Sequence, residues 1–356
     1  MKIAIIGSGN GAVTAAVDMT DQGHDVSLYC REQTIEKYDK AKALGGFHYN
    51  NEGESSFISF TNVSHDIEHV LEGAEVVMLV IPSSHIEYYA EIMAPYIDDS
   101  QLIVFNMAAS MGSIRFMNVL KKHHIETQPK FAEMNTLTYG TRVNFDTATV
   151  DLSLKVKKVY FSTYNKKDLN ESFNTVKSFY PSIRKEESLL RTNLENGNPE
   201  VHPGPTLLNV GRIDYSGDFA LYEEGITEHT VKLLHAIEEE RLSLGRKFGY
   251  HLETAKEARI ERGYLERKDD DKSLRYLFNN SPVFSQIRGP HQVENRYLTE
   301  DIAYGLVLWS SIGKAIGVRT PNIDAVITIA STILERDFFE EGLTLEALEI
   351  DDIESL

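Results

Sequence analysis

Two hydrophobic rhythms divide this 356-residue chain. In the first half, short unbroken apolar runs alternate with stretches of helical period. Ile3, Ala4, Ile5 and Ile6 predict a buried strand. A glycine turn follows, then a helix over about residues 10–21 ending at Gly23, and a second strand through Val26, Leu28 and Tyr29. The rhythm recurs in residues 74–82 ("AEVVMLVIP"), followed by a helix entered through Ser83 or Ser84, and again in residues 101–107. Residues 155–165 and a polar helix from about Asp168 predict a last strand–helix pair. Strands that alternate with helices in this way predict an α/β domain with a doubly wound parallel sheet.

From about Ser188 the strand-like runs stop and a period of 3.6 takes over. Val231, Leu234, Ile237, Leu244 and Phe248 fall on one stripe, closed by Gly249. A second helix is expected with Thr299 as N-cap, Glu300 and Asp301 in its first turn and Gly317 at its end; a third begins with Thr320 as cap and Pro321 at its first position. Residues 263–280 are charged and weakly periodic, and are expected to form a mobile loop. The pattern predicts a nucleotide-binding domain over residues 1–187 and an all-helical domain over residues 188–356.

Composition narrows the class. The length exceeds one simple core, which agrees with two domains. Hydrophobic residues at 42% and charged residues at 25% suit an ordinary globular protein. The single cysteine, Cys30, leaves no internal disulfide and suggests the cytoplasm. No apolar run reaches the ~18 residues of a membrane span, and the N-terminal run is too short for a signal peptide. A net charge of −18 argues against nucleic acid and anionic membranes as partners. If the ligands are anions, local arginines must overcome that field. The apolar helices also offer a face for a homodimer, although such stripes more often pack within one chain.

The turn after the first strand carries the first specific chemistry. Gly7, Gly9 and Ala12, with Asn10 and Gly11 between, match G-x-G-x-x-G/A between a strand and a helix. Gly7 permits the turn, Gly9 lets backbone approach a pyrophosphate, and Ala12 lets helix and strand pack closely. This predicts a Rossmann-type domain. The residue ending the second strand usually selects the cofactor: an acidic side chain holds a 2′-hydroxyl, an arginine a 2′-phosphate. Here Cys30 stands there, followed by Arg31 and Glu32. The sequence leans to NADP through Arg31 and leaves NAD open, and Arg31 also reads as an ordinary surface residue. Pro82, Ser83 and Asn106, at the carboxyl ends of later strands, are either cofactor neighbours or turn residues.

In the second half, "NGNPEVHPGPTLLN" gathers three of the chain's ten prolines around one histidine. Pro199, Pro203 and Pro205 are expected to stiffen the backbone about His202. Asn198 and Thr206, flanking it, are candidate substrate contacts or turn-satisfying residues; Asn209 reads as a turn hydrogen-bonder.

"HPGPTLLN", "YEEGIT", "NRYLTEDIAYGLV" and "TPNIDAVI" together resemble the octopine/nopaline dehydrogenase family of opine dehydrogenases, including its N-(1-carboxyethyl)norvaline dehydrogenase-like bacterial members. The resemblance runs along nearly the whole chain. It implies a reductive condensation of an amino acid with an α-keto acid, commonly pyruvate, through an imine reduced by a nicotinamide cofactor. It places the active-site histidine on His202, the substrate-binding arginine on Arg296 and the carboxylate partner of the histidine on Asp301. The residue types suit such chemistry. A histidine can donate and recover a proton near neutrality. A carboxylate on its other nitrogen fixes the tautomer, and an arginine can clamp a carboxylate with two parallel bonds. Arg288 is a second candidate clamp. No metal-ligand spacing is present, and imine reduction needs no metal.

Two other classes remain open in the sequence. One is a simple 2-keto acid or ketopantoate-like reductase, which usually relies on a lysine acid; no lysine here matches such a motif as His202 matches its own. The other is a non-catalytic protein that senses nicotinamide nucleotides.

Overall fold

The computed structural model describes residues 1–51 and 53–353. It divides into two units, Met1–Thr192 and Asn193–Leu356.

Twelve strands lie in the first unit: β1 (Lys2–Ile6), β2 (Asp25–Tyr29), β3 (Phe47–Asn51), β4 (Glu54–Ile58), β5 (Val63–Ser64), β6 (Val76–Leu79), β7 (Leu102–Ala108), β8 (Lys130–Met134), β9 (Tyr139–Asn144), β10 (Thr149–Lys155), β11 (Val159–Thr163) and β12 (Ile183–Lys185). Eight form one sheet in the order β12-β11-β8-β7-β6-β1-β2-β5. Its pairings are parallel except between β8 and β11. Ile3, Ala4, Ile5 and Ile6 are fully buried, as are Val77, Met78 and Leu79 in β6. Unbroken apolar runs of this kind mark strands covered on both faces. β1 pairs with β2 on one side and β6 on the other, so the chain switches direction across the sheet at the end of β1. Ligands of doubly wound sheets bind at such a switch.

The other four strands form a smaller sheet, β4-β3-β10-β9, which the hydrophobic rhythm did not announce. Its strands read as mixed polar segments because one side is open to solvent; all of β4 but its last residue is exposed. The first helix, Asn10–Asp21, is tied to this sheet through Asp18. The buried Asp18 carboxylate accepts from the hydroxyls of Tyr49 and Tyr139, each at 2.9 Å, and pairs with Lys155 at 2.6 Å.

Among its described residues the second unit contains helices and turns, with one isolated bridge between Ala220 and Arg288. Its longest helix, Glu228–Lys247, starts at Thr227, whose hydroxyl accepts from the Thr230 N–H. Val231, Leu234, Ile237 and Leu244 face its core as their spacing predicts. Phe248 instead ends the helix as its C-cap. The helix Pro321–Leu334 buries Ile323, Val326, Ile327 and Ala330 within the unit and leaves Ile329 and Ile333 exposed.

Two local expectations are corrected. Thr299 does not cap a helix. Asn295 does, accepting from the Tyr297 N–H at 2.9 Å, and the chain runs through Arg296–Thr299 and a wide π turn, Ile302–Leu306, before Val307–Ile316. The charged segment over residues 263–280 is not a plain loop. Ser273 caps a helix, Leu274–Asn279, that buries Leu274, Leu277 and Phe278; charges around these apolar positions hid their spacing. No helix among the described residues is long and apolar enough to cross a membrane.

Candidate active site

At the end of β1 the backbone turns at Gly7 with φ +138°, a region that favours glycine. A Cβ there would collide with the carbonyl oxygen of Val80 and stand 3.1 Å from the Cβ of Ala12. Gly7 and Ala12 are therefore small because strand and helix touch. Gly9 is the N-cap, makes no side-chain cap, and a Cβ on it would meet nothing within 4 Å. The open backbone at Gly9, at the amino end of a twelve-residue helix, fits a dinucleotide pyrophosphate, which helix N–H groups and the dipole attract. A Cβ on Gly11 would press on Leu137 and Val80, so this glycine serves packing. The Asn10 carbonyl oxygen Oδ1 accepts from the Val143 N–H at 3.2 Å, which turns its side chain toward β9 and the small sheet.

The other candidates at the strand ends divide by burial. Cys30 is fully buried, and burial pushes its thiol up from the ordinary range. Arg31, next in the chain, is exposed at the entry to the turn Glu32–Tyr38, and Glu32 is exposed beside it. Pro82 precedes the turn Ser83–His85. Ser83 is buried, its hydroxyl donating to the Ala109 carbonyl and accepting from Arg115, which Glu87 holds in turn. Asn106 is also fully buried. Its amide donates to Thr138 and Tyr180, and its oxygen accepts from the Thr138 N–H. The side chains of Ser83 and Asn106 are thus engaged in hydrogen bonds within the first unit.

In the second unit the prolines around His202 start helices. Pro199 opens Asn198–Val201 and Pro203 opens Pro203–Leu208, with His202 at the joint between them. A proline in the first turn loses no hydrogen bond and presets φ. The His202 N–H donates to the Asn198 carbonyl, and the His202 carbonyl accepts from the Thr206 N–H and, at 2.8 Å, from the Thr206 hydroxyl. Thr206 is fully buried and committed to this bond, so it supports His202 from behind. Asn198 is half-buried.

The imidazole is fixed on two sides. His202 Nδ1 lies 2.7 Å from Asp301 Oδ2. A carboxylate only accepts, so Nδ1 carries the proton and Nε2 is left as the free position. The ring of Tyr297 stacks on the imidazole with centroids 4.2 Å apart. Both side chains of the pair are largely covered, His202 at 14% exposure and Asp301 at 11%. Tyr222 lies close by, in the π segment Leu221–Gly225, stacked on Phe278 and Phe284. Burial pushes its hydroxyl well above the usual tyrosine value, and Tyr297 and Asp301 are among its charged and polar surroundings.

Arg296 sits at the start of the same short helix as Tyr297. Its side chain is 68% exposed and pairs with Glu300 at 3.0 Å. It is accessible to an anionic ligand and already has a carboxylate partner one turn on. Arg288 is exposed and paired with Asp218.

Beneath His202 lies a buried ionic group. Arg241 Nε donates to Glu200 at 2.7 Å, and its Nη atoms donate to the carbonyls of Leu194 and Glu253. Arg262 donates to the Glu195 carbonyl, and Glu195 accepts from the Glu253 N–H. Burial pushes the Glu195 carboxyl up, against the pull of Arg241. Among the described residues no group of three or more histidines, cysteines and acids is placed to hold a metal.

Both parts of the chain match known families. Residues 185–334 match the family model "NAD/NADP octopine/nopaline dehydrogenase, alpha-helical domain", and residues 2–129 match "NAD-dependent glycerol-3-phosphate dehydrogenase N-terminus". An opine dehydrogenase of Arthrobacter sp. (strain 1C) is 27% identical over 97% of this chain and 94% of its own length. The helical part of this chain thus matches the octopine/nopaline dehydrogenase family, and the chain is similar to an opine dehydrogenase along nearly its whole length. It is an NAD(P)-dependent oxidoreductase of the class that acts on CH–NH donors. The fold is that of octopine dehydrogenase, solved with NADH and agmatine, at a TM-score of 0.79 and 20% identity over 100% of this chain and 97% of that one. A yersinopine dehydrogenase solved with NADP+ superposes with a TM-score of 0.69 at 14% identity, covering 99% of this chain and 96% of that one.

Several residues of this site carried no weight in the sequence. Tyr297 is four residues before Asp301, a spacing that puts both on one helical face; that signal was available. Glu200, two residues before His202, reads as a solvated acid and is fully buried. Only the paired arginines, far away in sequence, explain it.

Proposed function

We propose that this protein joins the amine of an amino acid to the carbonyl of a 2-oxo acid, with His202 as the acid–base group. The observation that carries the reading is the 2.7 Å contact between His202 Nδ1 and Asp301 in a family that performs this condensation. The amine adds to the keto carbon, water leaves, and the resulting imine is reduced to a secondary amine. With Nδ1–H held by Asp301, His202 Nε2 takes up a proton to give the imidazolium, passes that proton to the oxygen or nitrogen of the reacting centre, and recovers it in the reverse direction. Asp301 holds the tautomer that keeps Nε2 available and stabilises the imidazolium. Arg296 is assigned to a substrate carboxylate, with Asn198 beside the pair as a second contact. Thr206 acts indirectly, through the His202 carbonyl.

The bound nicotinamide supplies the hydride. Gly7, Gly9 and the helix start that follows would hold its pyrophosphate, and Arg31 suits a 2′-phosphate, which favours NADP over NAD. Pyruvate is the expected 2-oxo acid; octopine dehydrogenase has been solved with NADH and pyruvate. A homodimer in the cytoplasm completes the reading, with Ile329 and Ile333 as outward apolar positions.

The test follows NADPH and NADH oxidation by absorbance with pyruvate alone and with pyruvate plus single amino acids. Oxidation that requires both substrates, and that falls by roughly 10²-fold or more in His202→Gln, is the expected result. Oxidation with pyruvate alone would place the protein among simple keto acid reductases. A His202→Gln variant with full turnover would remove the histidine from the mechanism.

A further inference from the structure

Gly305 lies in the π turn that follows Asp301, and Pro199 lies in the short helix that precedes His202. A Cβ on Gly305 would stand 2.7 Å from the Cβ of Pro199 and closer still to its Cγ. Carbon atoms in contact prefer roughly 3.5–4.0 Å. Pro199 is three residues before His202, and Gly305 four residues after Asp301. The Pro199–Gly305 contact and the His202–Asp301 bond are therefore two rungs between the same two segments, about one helical turn apart. The wide turn is secured from its other side, where the Ala303 carbonyl accepts from the Leu343 N–H at 2.7 Å. On the histidine side, Glu200, next to Pro199, is tied down by Arg241. Neither segment is loose, so the space between them is set where they touch.

We infer that Gly305 is a positioning residue: its missing side chain lets Pro199 and the turn after Asp301 approach closely enough for His202 and Asp301 to bond. The inference rests on the acid–base reading of His202 given above. The proline ring cannot rotate away, because it is closed onto its own backbone. A methyl group at position 305 has to part the two segments by on the order of 1 Å, which takes a 2.7 Å hydrogen bond beyond the ~3.2 Å limit of a good one. Leu and Ile neighbours elsewhere in the core would yield by changing rotamer; this contact offers no such adjustment.

The experiment uses the full-length protein. In wild type, the imidazole N–H of His202 held by Asp301 is expected as a proton NMR resonance downfield of the amides, assigned by its loss in His202→Gln. Gly305→Ala is expected to lose this resonance while the circular dichroism spectrum and NADPH affinity hold. kcat should fall roughly tenfold or more, the contribution of one charge-assisted hydrogen bond. Adding Pro199→Gly to Gly305→Ala removes both ring carbons from the contact and should restore the resonance and most of the lost rate. Retention of the low-field proton and of kcat in Gly305→Ala overturns the inference. So does a double variant that regains neither, including the case in which Gly305→Ala alone fails to fold. Because the resonance is read without turnover, these results stand apart from the activity of His202→Gln, which tests the acid–base reading itself.

Discussion

The ring of Tyr297 lies on the imidazole of His202, with planes inclined by 30° and centroids 4.2 Å apart. Asp301 meets the same imidazole at its edge. The histidine is thus held against rotation by a ring on its face and a carboxylate at its rim, both delivered by one stretch of seven residues, 295–301. The face of an aromatic ring attracts a cation, so the stack has an electrostatic side as well as a steric one.

Replacing that face should therefore slow turnover without unfolding the protein. Tyr297→Leu is expected to lower kcat by about three- to thirtyfold, the equivalent of ~0.5–2 kcal/mol for a cation–π contact. Tyr297→Phe, which keeps the ring, should stay within about twofold of wild type on the same grounds. Steady-state kinetics at saturating substrates decides between them. A phenylalanine variant as slow as the leucine variant would assign the effect to the hydroxyl.

Cofactor choice is testable at the end of β2. Cys30 is sealed in the core, so the first side chain able to meet a ribose substituent is the exposed Arg31. Arg31→Asp should move the ratio of kcat/KM for NADPH over NADH toward NADH by about 10- to 100-fold, as a lost charge-assisted bond to a 2′-phosphate implies. An unchanged ratio would leave Arg31 as a surface residue and return the choice to another part of the crevice.

The ionic group beneath His202 predicts a stability effect that is separate from chemistry. Arg241 is buried and bonded to Glu200 and to two carbonyls. Arg241→Met leaves the buried Glu200 with only the longer contact to Arg259, at 4.0 Å, and should destabilise the protein by roughly 3–5 kcal/mol. Thermal unfolding reads this directly. Changing both residues, Arg241→Met with Glu200→Leu, should recover only part of the loss, because the buried Glu195 and Arg259, 3.9 Å from Arg241 and 4.0 Å from Glu200, each lose a partner. Equal unfolding temperatures for the single variant and wild type would show that the ion pair contributes nothing.

Much of this was legible in the chain because it follows from local chemistry. Gly7 and Ala12 announce themselves through the close contact of strand and helix, and the fully apolar β1 and β6 through their two covered faces. His202 stands out because its prolines are concentrated. What stayed hidden depends on distant partners. β9 and β10 look like polar loop until β3 joins them and Tyr49 and Tyr139 find Asp18. The bonds of Ser83 to Arg115 and of Asn106 to Thr138, each partner tens of residues away, could not be read from residue type. The helix at Leu274–Asn279 was masked by the charges around it. Thr299, with Glu300 and Asp301 after it, has the chemistry of a cap; Asn295, four residues earlier, holds that position, and the chain widens into a π turn after Asp301.

The bond between His202 and Asp301, the stack of Tyr297 and the salt bridges below them all lie inside one unit, residues 193–356. The residues that would grip the dinucleotide lie in the other. The His202–Asp301 pair is accordingly preassembled: its spacing is inherited from a single folded body, whatever the partner body carries. The two family models divide the chain along much the same line, one covering residues 2–129 and the other 185–334. A change of coenzyme preference written into the crevice around Gly9 and Arg31 can then accumulate without disturbing a single distance around the histidine. Selectivity for the electron donor and competence in proton transfer are free to drift independently.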